Sequence, residues 1–91
     1  MKAKASEIQL VECETIPNAI ESGKLYYSKK YGTATHLCAC GCGYKVVTPC
    51  KSGFWTIWIA DGKPTLSPSV GNFRLPCNSH YFIRNGKVVW A

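Results

Sequence analysis

The chain has 91 residues, the length of one small domain, and we predict a single domain spanning residues 1–91. A domain of this size buries only a modest core, so its six cysteines are candidates for a metal site or for disulfides. The net charge is +6, and from His36 onward six Lys and Arg residues face the single Asp61. This leaves too few carboxylates for paired-carboxylate catalysis of the glycosidase or aspartic-protease kind.

The first fifteen residues do not resemble a secretory signal. A basic start is followed by Glu7, Glu12 and Glu14, with no apolar stretch of signal-peptide length. We therefore predict a cytoplasmic protein, whose thiols stay reduced and more often bind metal than form disulfides. No apolar run approaches the roughly 20 residues that cross a bilayer, so we expect no membrane partner.

Alternating apolar residues and turn dipeptides, rather than a helical period, organise the chain. Residues 7–16 read as a strand, and residues 16–23 could form a helical turn between Pro17 and Gly23. Residues 24–40 predict two strands around a turn near Lys30 to Gly32, and residues 44–49 predict a further short strand.

Two hairpins are predicted in the second half. Asn85-Gly86 lies between the β-rich runs of residues 81–90, and this dipeptide favours a tight type I′ turn. Asp61-Gly62 has the same role in residues 53–67, where residues 54–60 should form a buried strand. Pro64 predicts that the second arm is an edge or a short strand. The expected fold is mainly β, with six to eight short antiparallel strands and hairpins around one core, stapled by a zinc site.

The segments "HLCACGCG" (residues 36–43) and "CNSH" (residues 77–80) carry metal-ligand spacing. The glycines permit a tight turn on which nearby thiolates converge, and a Cys-x-Cys pair with a Cys-x-x-His pair makes a tetrahedral set suited to Zn²⁺. The favoured ligands are Cys40, Cys42, Cys77 and His80. Cys38 could replace Cys40 or His80, iron could replace zinc, and disulfides remain an alternative.

A second group of residues has the chemistry of a nucleophilic catalyst. A thiol or hydroxyl beside an imidazole can attack a carbonyl while the imidazole takes the proton. The favoured metal set leaves four such residues over, namely His36, Cys38, Ser69 and Ser79. The competing interpretation is that the histidine only forms a structural hydrogen bond and that the serines cap turns.

The basic second half predicts an acidic protein partner or, as an alternative, a nucleic acid. Several aromatic residues beside Lys45, Arg74 and Arg84 could form a stacking platform for single strands, although aromatic residues also fill ordinary β cores. Cys13 and Cys50 lie outside the cysteine cluster and are expected to be free thiols.

Residues 36–49, 65–72 and 77–90, in this order and spacing, resemble a family of small bacterial proteins of unknown function. Members are encoded beside ubiquitin-like proteins and their activating (E1-like) and conjugating (E2-like) enzymes. The resemblance covers residues 23–91, and these positions match its pattern: His36, Cys38, Cys40, Cys42, Pro49, Trp55, Ser69, Asn72, Cys77, Ser79 and His80.

The resemblance implies a peptidase or processing factor that acts on ubiquitin-like proteins. A serine or cysteine route would use zinc as a scaffold, His36 as the base, and Ser69, Ser79 or Cys38 as the nucleophile. A route through a zinc with one open position ranks below it, because no HExxH motif is present. The alternatives are a non-catalytic zinc module that binds the ubiquitin-like protein or its conjugation enzymes, and a nucleic-acid-binding zinc module.

Overall fold

A computed structural model describes residues 5–91 of the chain, which fold into two four-stranded sheets. The first sheet has the order β1-β2-β3-β4 and the second β5-β6-β7-β8. The strands are β1 (Gln9–Glu12), β2 (Lys24–Ser28), β3 (Thr33–Leu37), β4 (Lys45–Pro49), β5 (Thr56–Ala60), β6 (Lys63–Gly71), β7 (His80–Arg84) and β8 (Lys87–Trp90). The predicted mainly antiparallel β fold is confirmed, although β1 and β2 pair in parallel. The predicted single domain includes residues 1–4, which lie outside the described part, and stays a prediction.

Both predicted hairpins are present. Asp61 and Gly62 have φ angles of 52° and 72°, and Asn85 and Gly86 have φ angles of 50° and 77°. Two consecutive residues with positive φ make the type I′ turn whose twist matches that of the flanking strands. Both turns therefore form because Asp, Asn and Gly tolerate a backbone conformation that most residues avoid.

The burial predicted for residues 54–60 is wrong. Strand β5 lies at the edge of its sheet, where Trp58 is 54% exposed and Ile59 is 41% exposed. Aromatic and β-branched residues predict that a segment forms a strand, but they do not say whether another layer covers that strand.

The expectation that Pro64 marks an edge or short strand is also wrong, because β6 is the longest strand and lies between β5 and β7. Pro64 is the second residue of β6, ahead of the point where pairing with β7 begins at Leu66 and Ile83. Its carbonyl accepts a hydrogen bond from the Gly86 amide, with an N···O distance of 2.9 Å. Proline has no N–H to donate, and at this position no hydrogen bond between β6 and β7 requires one.

Residues 16–23 form bends and a turn instead of the predicted helical turn. All of these residues are exposed or half-buried. A helix of this length needs tertiary packing to be stable, and this segment has no buried apolar face to supply it. The described residues 5–91 contain no helix that could cross a membrane.

The N-terminal segment joins the two sheets. The Ile8 amide donates to the Gly86 carbonyl and the Val88 amide donates to the Ser6 carbonyl, which fixes this segment against β8. The chain then continues as β1, which pairs with β2 of the first sheet. The core contains buried side chains from both sheets, including Leu25 and Ala34 from the first and Leu66, Val70, Tyr81 and Ile83 from the second.

Candidate active site and metal centre

Two loops bring four cysteines together. Residues 38–44, between β3 and β4, carry three of them, and residues 72–79, between β6 and β7, carry the fourth. The Sγ atoms all lie within 4.8 Å of one another, and the cluster consists of Cys38, Cys40, Cys42 and Cys77. This sulfur-only donor set fits a tetrahedral metal such as zinc, or iron.

The backbone around the cluster is already arranged to serve sulfur ligands. The sulfur atoms of Cys40, Cys42 and Cys77 each accept a hydrogen bond from the backbone amide two residues further along the chain. Gly41 and Gly43 have φ angles of 89° and 88°, which allow the chain to turn tightly enough for this. Amide donors to sulfur spread the charge of metal-bound thiolates, so the local backbone supports the metal-site interpretation.

The thiols of the cluster differ in acidity. A hydrogen bond with Ser79 is the main cause that lowers the pKa of Cys77 to about 6. Burial is the main cause that raises the pKa of Cys40 to about 12, and hydrogen bonds with Cys38 and Cys42 add to it. A metal ion would have to displace the proton of Cys40, whereas Cys77 is ready to bind as a thiolate near neutral pH.

Ser79 and Asn72 surround the cluster. The Ser79 hydroxyl lies 3.0 Å from the Cys38 sulfur and 3.5 Å from the Cys77 sulfur. The Asn72 side-chain amide donates to Ser79 Oγ at 3.0 Å and to the Cys38 sulfur at 3.5 Å. Both side chains are buried. Ser79 therefore lies among the thiols of the cluster, where its hydroxyl has partners other than an imidazole.

Ser69 and His80 form a pair in which a serine hydroxyl contacts an imidazole. Ser69 Oγ lies 2.7 Å from His80 Nε2, across the neighbouring strands β6 and β7. The pairing register of these strands shifts between Leu66 and Val70, so Ser69 sits in a bulge. Because bulges redirect side chains, the shift positions the Ser69 hydroxyl at the histidine. Tyr81 and Ile83 point into the core, so His80 and Phe82 lie on the opposite, outer face of the sheet.

Aromatic rings flank the His80 imidazole. The Phe73 ring meets it edge to face with 5.4 Å between centroids, and the Phe82 ring is tilted against it at 6.1 Å. Gly71 makes room for Phe73, because a Cβ at this glycine would lie 2.5 Å from Phe73 Cε2. Within residues 5–91, no carboxylate is hydrogen-bonded or ion-paired to His80. In a Ser-His-Asp triad an acidic residue orients the imidazole, and here the packing of two aromatic rings has that role.

His36 occupies a different place. Its side chain is 0% exposed, and its Nε2 lies 2.6 Å from the Tyr81 hydroxyl. Its Nδ1 is buried without a hydrogen-bond partner among the described residues. Burial lowers the pKa of His36 to about 4, so the imidazole is neutral near pH 7. The structure thus joins His36 to a core tyrosine and not to a serine.

The two predicted groups of site residues are divided differently in the structure. Three of the favoured metal ligands, Cys40, Cys42 and Cys77, meet at the thiol cluster, and Cys38 completes the cluster as the alternative assignment allowed. His80 instead contacts Ser69. The exchange follows from strand geometry, because β7 begins at His80 and strand alternation turns its side chain away from the cluster.

Comparison with models of known protein families shows to which family the chain belongs. Residues 12–91 match the model of the family described as bacterial ubiquitination-like system serine protease (BubE). The chain belongs to the BubE family. The predicted relationship to a small bacterial family of ubiquitin-like conjugation systems is confirmed. No curated protein and no solved structure matches the chain. For a BubE protein, whose family is described as serine proteases, the Ser69–His80 pair is the natural candidate for the catalytic centre.

Two residues of this site were not singled out from the sequence, namely Phe73 and Gly71. Phe73 is 65% exposed although it packs against His80, and nothing in its sequence context distinguishes it from an ordinary loop aromatic. Gly71 has a weak signal, since a glycine inside a strand pattern often marks a close approach of another group. The identity of that group, the Phe73 ring, becomes visible only in three dimensions.

Proposed function

We propose that this BubE protein is a serine peptidase that cleaves ubiquitin-like proteins, with Ser69 as the nucleophile and His80 as the general base. The observation that carries the proposal is the 2.7 Å contact between Ser69 Oγ and His80 Nε2 on an outer sheet face. The family description as serine proteases of a bacterial ubiquitination-like system supports the reaction class and the pathway.

The proposed chemistry needs only these two side chains and water. His80 Nε2 takes the hydroxyl proton while Ser69 Oγ bonds to the carbonyl carbon of the scissile peptide. The protonated imidazole then gives its proton to the departing amine, which leaves an acyl group on Ser69. Water attacks this ester with His80 again as the base, and the free serine is restored. Phe73 and Phe82 keep the ring in place throughout.

We propose that Cys38, Cys40, Cys42 and Cys77 hold Zn²⁺. Four sulfur ligands close the coordination sphere, so bound zinc would supply a structural crosslink and leave no position for water. The crosslink would join the loop of residues 38–44 to the loop of residues 72–79, which leads from Ser69 to His80. We propose that the protein works in the cytoplasm, where thiols stay reduced and are available to bind a metal.

The proposed substrate is favoured by charge as well as by family. The ion pairs of residues 5–91 are Lys24–Glu21 and Lys30–Glu14, both in the first half of the chain. The Lys and Arg residues from Lys45 onward therefore have no carboxylate partner in the described structure. An extended tail of a ubiquitin-like protein that carries acidic groups would complement this basic half.

A fluorophosphonate probe, which labels activated serines, tests the proposal. The wild-type protein should be labelled at Ser69, and Ser69→Ala should not be labelled at all. His80→Ala should slow labelling by at least about 100-fold, the usual size of a general-base contribution. Ser79→Ala, kept at saturating zinc, is the matched control and should be labelled normally. The same proteins are then incubated with a ubiquitin-like precursor. Labelling at Ser79, or unchanged cleavage by Ser69→Ala, would refute the assignment.

A further inference from the structure

A cleft with a basic lining lies beside the Ser69–His80 pair. It has a volume of about 380 Å³ and lies between strand β4 and the start of the β6–β7 loop. Two cations and several apolar groups line it, among them Lys45, Arg74, Val47, Gly71, Phe73 and Leu75. None of its lining residues is an aspartate or a glutamate.

The cleft adjoins the proposed catalytic centre. Phe73 belongs to both, because its ring contacts His80 and also forms part of the cleft wall. Gly71 lies two residues beyond Ser69 on the same strand, a distance of about 6 to 7 Å in an extended backbone. An extended substrate whose carbonyl lies at Ser69 would therefore reach the cleft with a group within about two residues of the cleaved bond.

The two cations that line the cleft are not neutralised by a carboxylate of residues 5–91. Lys45 Nζ donates to the Asn18 carbonyl at 2.7 Å, which holds the ammonium group in place and leaves further protons to donate. Neither Lys45 nor Arg74 takes part in an ion pair of residues 5–91. Val47 and Phe73 are exposed apolar residues in the wall, so apolar groups beside the bound charge can pack against them.

We infer that this cleft is a substrate subsite that binds a carboxylate close to the scissile bond. The inference rests on the proposed peptidase function and adds a specificity to it. The carboxylate can belong to an Asp or Glu side chain or to the free C-terminus of a short tail. In both cases the partners are the ammonium of Lys45 and the guanidinium of Arg74.

Binding can be tested without cleavage by NMR titration of the metal-loaded protein with blocked pentapeptides. The probes are acetyl-Gly-Gly-Asp-Gly-Gly-amide and its Asn counterpart, and pentaglycine as the free acid and as the amide. We expect the Asp peptide to shift the backbone amides of Lys45, Gly71 and Arg74 and to bind about fivefold more tightly than the Asn peptide. The pentaglycine pair shows whether a terminal carboxylate is accepted equally well.

The double variant Lys45→Met, Arg74→Met should abolish the preference for the Asp peptide. Lys29→Met is the matched control, since Lys29 lies in the β2–β3 turn, at the opposite end of the first sheet from Lys45. It should retain the preference. Equal binding of all probes, or shifts confined to residues elsewhere, would overturn the subsite even if the fluorophosphonate probe labels Ser69. Loss of Ser69 labelling would instead refute the peptidase proposal, so the two failures are distinguishable.

Discussion

Ser69 and His80 lie 2.7 Å apart across two neighbouring strands, and the ten residues between them contain Cys77, a member of the thiol cluster. Ser69 and His80 therefore flank a segment that carries one cysteine of the cluster. Asn72 fastens the loop at its start by bonding to Ser79 and to the Cys38 sulfur. This arrangement predicts that the metal and the catalytic pair depend on each other.

Loss of the metal should therefore inactivate the protein without any change at Ser69 or His80. Cys40→Ser should lose bound zinc, and its Tm should fall sharply. A structural zinc contributes roughly 10 kcal/mol or more, which is comparable to the whole stability of a small domain. Metal content, a thermal melt and Ser69 labelling measure the three effects. Cys50→Ser, outside the cluster, should keep one zinc per chain. Normal labelling of a fully chelated protein would contradict the dependence.

Ser79→Ala should weaken metal binding, and at saturating zinc it should still be labelled at Ser69. The Ser79 hydroxyl contacts the sulfur atoms of Cys38 and Cys77, and such outer hydrogen bonds are worth about 10- to 100-fold in metal affinity. Competition with a chromogenic chelator measures the loss. Ser52→Ala, a substitution at an exposed turn residue, is the control and should bind zinc like the wild type. Unchanged affinity in Ser79→Ala would show that the hydroxyl does not support the ligands.

Gly71→Ala should lower activity more than stability. The new Cβ would collide with the far end of the exposed Phe73 ring, which can swing away at a cost below about 1 kcal/mol. His80 would then lose one of its two flanking rings. We expect kcat/KM to fall about tenfold, since small misplacements of a catalytic group are costly.

Phe73→Leu should reproduce the loss caused by Gly71→Ala, because it removes the same ring by another route. Phe54→Leu is the matched control, as Phe54 is also an exposed phenylalanine but is not among the rings that contact His80. Cleavage kinetics and thermal melts distinguish the outcomes. A Gly71→Ala protein with full activity would exclude a positioning role for Phe73.

His36 should make the fold sensitive to acid. Burial lowers its pKa to about 4, whereas an unfolded chain protonates histidine near pH 6.5. Between these two pH values the unfolded state binds more protons than the folded state, so the free energy of unfolding falls as the pH falls. The stability that depends on a neutral His36 is fully present above pH 6.5 and is lost as the pH approaches 4. The loss is about 3 kcal/mol.

Denaturant titrations of zinc-loaded wild type and His36→Phe across pH 4 to 6.5 measure this difference. The variant should show the shallower decline, and it should still be labelled at Ser69, because His36 bonds to Tyr81. Parallel pH profiles would mean that His36 does not titrate as described.

Local chemistry explains what could be read from the sequence. Asn85-Gly86 and Asp61-Gly62 predict their hairpins because each dipeptide tolerates the required positive φ angles. The glycines of residues 41–43 likewise indicate a turn that gathers sulfur ligands. These features depend on a few neighbouring residues, so no knowledge of distant contacts is needed.

The hydrogen-bond partners of His80 and His36 could not be predicted from neighbouring residues in the sequence. Spacing places His80 three residues from Cys77, but the start of β7 and the bulge at Ser69 decide which way the imidazole points. His36 enters the core because Tyr81, 45 residues away, meets it there. Both outcomes depend on the register between strands, which the alternation of a single segment does not reveal.

The residues that define the family and the residues that close the fold are not the same set. The BubE match begins at residue 12, after the segment in which Ile8 enters the core and bonds to Gly86. A protein trimmed to the matched residues would keep all four cluster cysteines, Ser69 and His80. It would lose the hydrogen bonds of Ser6 and Ile8 that connect the N-terminal segment to the second sheet. The extent of the shared sequence therefore leaves out contacts that hold the two sheets together.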